Sequence, residues 1–80
     1  MSQIAKSIEE LSITSIKVRD DKITATISDG RIVSIPVAWF TRMANANQDQ
    51  LEKFEISPGG YGVHWPELDE DISIKSFVGP

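Results

Sequence analysis

Eighty residues, 40% hydrophobic and 25% charged, make one globular domain whose core is thin, because a chain this short buries only about 60–65% of its extended surface. The chain has no cysteine, which excludes both a disulfide framework and a thiolate metal site. Its net charge of −4 argues against a general nucleic-acid coat, whose footprint is a basic excess, and suits a basic protein partner.

Ile4, Ile8 and Leu11 lie at helical spacing, with Glu9 and Glu10 between them. Residues 1–11 are therefore expected to be either a short helix or a tail that orders only when docked. Ile16 and Val18 then alternate with Lys17 and Arg19, and Ile23, Ala25 and Ile27 alternate with Thr24, Thr26 and Ser28. Both runs read as strands of period two, joined by a turn at Asp20-Asp21. Asp29-Gly30 predicts a two-residue hairpin loop, because such loops place both central residues at positive φ. That register sets Ser28 opposite Arg31, Ile27 opposite Ile32, Thr26 opposite Val33 and Ala25 opposite Ser34. One face of a three-stranded meander would then carry Ile23, Ala25, Ile27 and Ile32, and the other would set Val33 and Ile35 among threonines.

Pro36 ends the ladder, since it has no N–H to donate. Residues 37–44 predict a helix, with Trp39 or Phe40, Met43 and Ala44 as its buried stripe. Asn45-Ala46-Asn47 breaks it. Asn47 is placed to N-cap a second short helix, with Gln50 as capping-box partner and Leu51 and Phe54 as core contacts. Phe54 and Ile56, a Pro58-Gly59-Gly60 turn, and then Tyr61, Val63 and Trp65 predict a second hairpin, closed by Pro66. Leu68 and Ile72 frame an acidic turn. Residues 73–78 fit a last strand, or one helical turn capped by Ser73 and stopped by Gly79. The order β-β-β-α-β-β gives an α+β domain: an antiparallel sheet from the meander and the second hairpin, against one or two short helices at about residues 37–53.

No run approaches the roughly 18 apolar residues of a membrane span, and no apolar stretch follows Lys6 as a signal peptide requires. The expected setting is cytoplasmic, without a membrane partner.

The stretch from Gly60 to Ile72 holds the only histidine, one of two tryptophans and four of the twelve acids. His64 with Asp69 or Asp71 offers mixed nitrogen and oxygen ligands, short of the three or four that a tight metal site needs. His64 could act as a general base, but no cysteine and no serine in a nucleophile-elbow setting accompanies it. Gly59-Gly60-Tyr61-Gly62 sits between strand-like runs and does not open into a helix as a phosphate cradle does. No catalytic residue, metal ligand set or cofactor is therefore assigned, and the chain is expected not to be an enzyme. His64, Trp65, Asp69, Glu70, Asp71 and Trp39 remain as candidate interaction residues. Lys17, Arg19, Lys22 and Arg31 make up half of the eight basic residues and are candidate nucleic-acid contacts, because a β-ribbon can enter a major groove. Charged residues on a solvent-facing strand also protect its edges from aggregation.

Several segments together resemble a known family. They are Asp20-Asp21 entering a strand, Asp29-Gly30-Arg31, Pro36 before Trp39-Phe40, Phe54-Glu55, and above all Gly60-Tyr61-Gly62-Val63-His64-Trp65-Pro66-Glu67-Leu68-Asp69-Glu70-Asp71-Ile72-Ser73. These resemble the small bacterial domains catalogued as domain of unknown function 2442, over roughly residues 13–79. Two positions depart from the family pattern: Thr41 stands where proline is frequent, and Phe54 where tryptophan is frequent. Such domains occur alone or fused to a helix-turn-helix module, and standalone members are often encoded beside another small protein. The resemblance implies a protein-binding module in a regulatory or toxin–antitoxin-type pair, with the product of a neighbouring gene as partner. A small-ligand or metal sensor built on residues 64–71 is the alternative, and nucleic-acid binding through the basic first hairpin a second one. An open sheet also leaves edges through which a homodimer could form.

Overall fold

A computed structural model describes residues 10–79. The helical pattern at residues 3–11 lies almost wholly outside that range; Leu11, inside it, is buried. Six strands form two antiparallel three-stranded sheets. Sheet A is the meander β1 (Ile13–Arg19), β2 (Lys22–Ile27) and β3 (Ile32–Pro36). Sheet B is β4 (Glu55–Ile56), β5 (Gly62–Trp65) and β6 (Glu70–Ser73). Between them lie a 3-10 turn (Val37–Trp39) and the one-turn helices α1 (Thr41–Ala44) and α2 (Gln48–Leu51); α3 (Lys75–Val78) follows β6. The class is α+β, as expected.

The β1–β2 turn is the one that takes the two-residue form. Asp20 and Asp21 both have positive φ, 55° and 63°, and Arg19 faces Lys22. Primed turns of this kind match the right-handed twist of the flanking strands. Thr14 is a bulge between Ile13, which faces Ile27, and Ser15, which faces Thr26. The extra residue lets Ile13 point inward together with Ile16 and Val18, although their sequence parity differs.

The β2–β3 turn corrects the expected register by one residue. Only Gly30 of the Asp29-Gly30 pair has positive φ. The Gly30 N–H donates to the Ile27 carbonyl, and the Ile27 N–H to the Arg31 carbonyl, both at 2.9 Å. The loop is thus three residues long, Ser28–Gly30, with a glycine at its left-handed position. Asp29 fixes it by accepting from the Arg31 backbone N–H at 3.1 Å and from Arg31 Nε at 2.9 Å. Thr26 consequently faces Ile32, Ala25 faces Val33 and Ile23 faces Ile35. A one-residue slip exchanges the two faces of a strand. Ile35 and Val33 therefore join the core side, while Ile32 turns outward and is 69% exposed.

The single helix expected at residues 37–44 is also two pieces. Phe40 is extended, at φ −122° and ψ 106°, and separates the 3-10 turn from α1. Val37 and Met43 are buried, Phe40 packs partly against the core, and Ala44 and Trp39 lie outside. The second helix follows expectation closely. Asn47 Oδ1 accepts from the Gln50 N–H at 2.8 Å, and Gln50 Oε1 accepts from the Asn47 N–H at 3.1 Å. Residues 70–72, expected in an acidic turn, form β6 together with Ser73, and α3 takes up the rest of the tail. The Ser73 hydroxyl accepts from the Lys75 N–H at 3.1 Å.

Both sheets turn their apolar sides to one core of fifteen buried side chains, from Leu11 to Phe77. Trp65 is its largest wholly buried member. Its indole N–H donates to the Leu51 carbonyl at 2.9 Å, and Phe54 stacks obliquely on it with ring centroids 5.9 Å apart. Gln48 Nε2 donates to the Val18 carbonyl at 2.9 Å and ties α2 back to sheet A. The core is dry in composition: it holds no buried polar or charged residue among those described.

Candidate functional site

The acidic stretch between β5 and β6 distributes its side chains in different directions. The hairpin pairs Val63 with Ile72, His64 with Asp71, and Trp65 with Glu70. Side chains alternate across a strand, so Val63, Ile72 and Trp65 enter the core while His64 and Asp71 share the outer face. There His64 Nδ1 and Asp71 Oδ1 are 2.6 Å apart. Glu70 sits opposite the buried Trp65 and is half-buried. Asp69 occupies the turn at φ 51°, where Arg42 Nη1 donates to its carbonyl at 2.6 Å and approaches its Oδ2 at 3.4 Å. Glu67 accepts from Lys53 Nζ at 3.2 Å, and Asp49 lies 3.3 Å from the same ammonium. The hydrogen bonds to Glu67 and then Asp49 hold the Lys53 amine above the ordinary lysine range.

Of the sequence candidates between Gly60 and Ile72, then, only His64 and Asp71 are joined by a side-chain hydrogen bond among the described residues. Trp65 is a core anchor, and the acids at 67 and 69 fasten the turn to Lys53, just past α2, and to Arg42 of α1. Among the described residues no three His, Cys, Asp or Glu side chains group as metal ligands. The sequence reading did not single out Arg42 and Lys53, since they reach the turn across 27 and 14 residues with no local signal.

Trp39 stands apart. It is 65% exposed, against 0% for Trp65. Three residues after Pro36, which faces Lys22, it lies beyond the end of sheet A where the Val37 N–H donates to the Asp21 carbonyl at 2.9 Å.

The basic candidates divide as well. The register sets Lys17 beside Thr24 and Ser34, and Arg19 beside Lys22 and Pro36, on the outer face of sheet A. None of these three cations forms an ion pair among the described residues. Arg31 instead pairs with Asp29 at 2.7 Å, and its hydrogen bonds hold the Asp29 carboxyl below the ordinary range.

The outer face of sheet B carries a feature that the sequence does not advertise. A recess of about 340 Å³ lies over Gly62, lined by Ser57, Tyr61, Gly62, Val63, Asp71, Ile72 and Ser73. Tyr61 is 57% exposed beside it. Glu55 faces His64 from the other side of β5, so Glu55, His64 and Asp71 form one row across the sheet. No helix among the described residues is long and apolar enough to cross a membrane.

Two solved structures are similar to this chain in overall fold. A protein of unknown function from Rhodospirillum rubrum is 26% identical, with a TM-score of 0.74 over 84% of this chain and 83% of that one. An uncharacterized protein from Chromobacterium violaceum, determined in solution by NMR, is also 26% identical, with a TM-score of 0.70 over 84% of this chain and 63% of that one. No curated protein matches the sequence. The family described as "Protein of unknown function (DUF2442)" matches residues 13–80, nearly the whole of the globular fold just described, and the chain belongs to that family.

Proposed function

We propose that this domain is a cytosolic protein-binding module, not an enzyme, and that it engages its partner through a surface anchored on Trp39. The partner is the product of a neighbouring gene, in a regulatory or toxin–antitoxin-type pair. The observation that carries this reading is the contrast between the two tryptophans, one wholly buried and one 65% exposed. A small domain has few large apolar groups with which to build a core, and this one leaves a tryptophan outside. Tryptophan is enriched at interfaces and foremost among the residues whose truncation costs binding energy. The acids of the Glu67–Asp71 turn also favour this reading over a ligand or metal sensor, since Glu67 and Asp69 are engaged by Lys53 and Arg42.

Co-expression with the neighbouring gene product, followed by affinity measurement, tests it. Trp39→Ala should weaken the complex about 30-fold or more, the effect of losing a hot spot of about 2 kcal/mol, with no loss of thermal stability. An unchanged affinity, or no complex at micromolar concentration, overturns the reading.

One observation favours a second reading, nucleic-acid binding. Lys17, Arg19 and Lys22 share one face, and β1–β3 hold no acidic residue. Three phosphate contacts would give a slope of about −2.7 in log affinity against log salt. Salt-independent or absent binding dismisses it.

A further inference from the structure

The three strands of sheet B contain Glu55, Glu70 and Asp71 and no lysine or arginine. The recess over Gly62 opens on this face. Its floor is backbone, because residue 62 has no side chain to fill it, and a Cβ there would lie 3.0 Å from the Ile72 carbonyl oxygen. Asp71 stands at its rim with the side chain 79% exposed. His64 engages only Oδ1, which holds the carboxylate in place and leaves Oδ2 without a partner among the described residues.

The side-chain hydroxyls of the recess can each still accept a hydrogen bond. The Ser57 hydroxyl donates to the Gly62 carbonyl at 3.1 Å and accepts from the Gly62 N–H at 3.0 Å, so one lone pair is left. The Ser73 hydroxyl accepts from the Lys75 N–H and keeps a lone pair and its own proton. Tyr61 adds an exposed aromatic ring beside these acceptors.

A fixed carboxylate, spare hydroxyl lone pairs and a ring face call for a flat group that carries only donors and positive charge. Guanidinium is that group: it has five N–H donors, no acceptor, and it stacks on aromatic rings. At about 340 Å³ the recess lies at the small end of the roughly 300–1,000 Å³ spanned by ligand pockets, a size suited to one side chain.

We infer that the recess over Gly62 receives an arginine side chain of the protein partner, with Asp71 accepting from the guanidinium and Tyr61 stacking on it. The inference rests on the protein-binding reading and extends it to a single side chain on the other sheet.

The probe is acetyl-Gly-Arg-Gly-amide, titrated into the ¹⁵N-labelled protein, with the neutral citrulline peptide as control. Saturable amide shifts should centre on Gly62, Asp71 and Ser73. They should weaken at least tenfold with citrulline, with Asp71→Asn and with Tyr61→Ala, in variants whose spectra remain folded. Equal shifts with citrulline overturn the assignment, as do unsaturated shifts spread over Asp49, Glu52 and other surface acids. The complex separates the two readings. If Trp39→Ala abolishes it and Asp71→Asn leaves it unchanged, the recess assignment falls and the protein-binding reading stands. If no complex forms yet the arginine peptide binds as described, the recess assignment stands and the neighbouring gene product is not the partner.

Discussion

The strands of sheet A run to five, six and seven residues and those of sheet B to two, four and four. Sheet A has the longer ladders, closed by two tight turns whose aspartates satisfy local demands. Sheet B has few rungs and is held from outside its ladder. Trp65 binds the Leu51 carbonyl, Lys53 and Arg42 grip the β5–β6 turn, and the Ser57 hydroxyl bridges both backbone groups of Gly62. The charge differs in the same way, with three cations and no acid on the strands of one sheet, and three acids and no lysine or arginine on those of the other. One sheet therefore draws its order from backbone pairing, and the other from side chains that reach it from elsewhere in the chain.

The sharpest way to break this contrast is Trp65→Ala. Truncating a buried aromatic costs about 3–5 kcal/mol, so chemical denaturation should show a marginal or unfolded domain. Trp65→Phe separates shape from hydrogen bonding. It leaves the Leu51 carbonyl without its donor, and the unmet acceptor adds about 1–3 kcal/mol to the lost volume. The register of sheet A is tested by a pair. Ile35→Ala should cost about 2–5 kcal/mol as a core truncation, whereas Ile32→Ala should stay within about 0.5 kcal/mol as a surface change; the reverse order would restore the two-residue loop. Asn47→Ala removes the capping box and should cost about 1 kcal/mol.

The smallest effect is at Asp29. Its carboxyl is held below the ordinary range by Arg31, so the folded form binds its proton less readily than the unfolded chain. That contribution is fully present above the ordinary aspartate value of about 3.9 and is lost as pH falls through the lowered value. The melting temperature of Asp29→Asn should lie slightly below that of the unaltered chain at neutral pH, and the two should converge in acid. A constant gap across that range would show that the Arg31 pairing is not its source.

Local features were readable in the sequence where a few neighbouring residues decide them. The Asn47–Gln50 box, the Asp20-Asp21 turn and the Pro58-Gly59-Gly60 turn are of this kind. The Asp29-Gly30 loop departs from its expected form because the same dipeptide serves loops of two and of three residues. The choice depends on which face of β3 is buried, and β3 carries isoleucine on both, Ile32 on one and Ile35 on the other. The extended Phe40 that splits the 37–44 helix and the strand at Glu70-Asp71 run against local propensity, and packing overrides it. Of the candidate site, the sequence offers His64 and Asp71, but their contact needs the hairpin register. The recess needs sheet B assembled: Ser57 just past β4, Gly62 of β5 and Ser73 of β6 give no signal until the sheet aligns them.

The two tryptophans also give the molecule two optical reporters with separate duties. Trp65, wholly enclosed, should emit at short wavelength and resist quenching by acrylamide until the core opens. Trp39, in contact with water, should emit at long wavelength and be quenched readily in the folded state. Unfolding should therefore be followed on the blue edge of the emission band and docking of a partner on the red edge, in a single unlabelled sample.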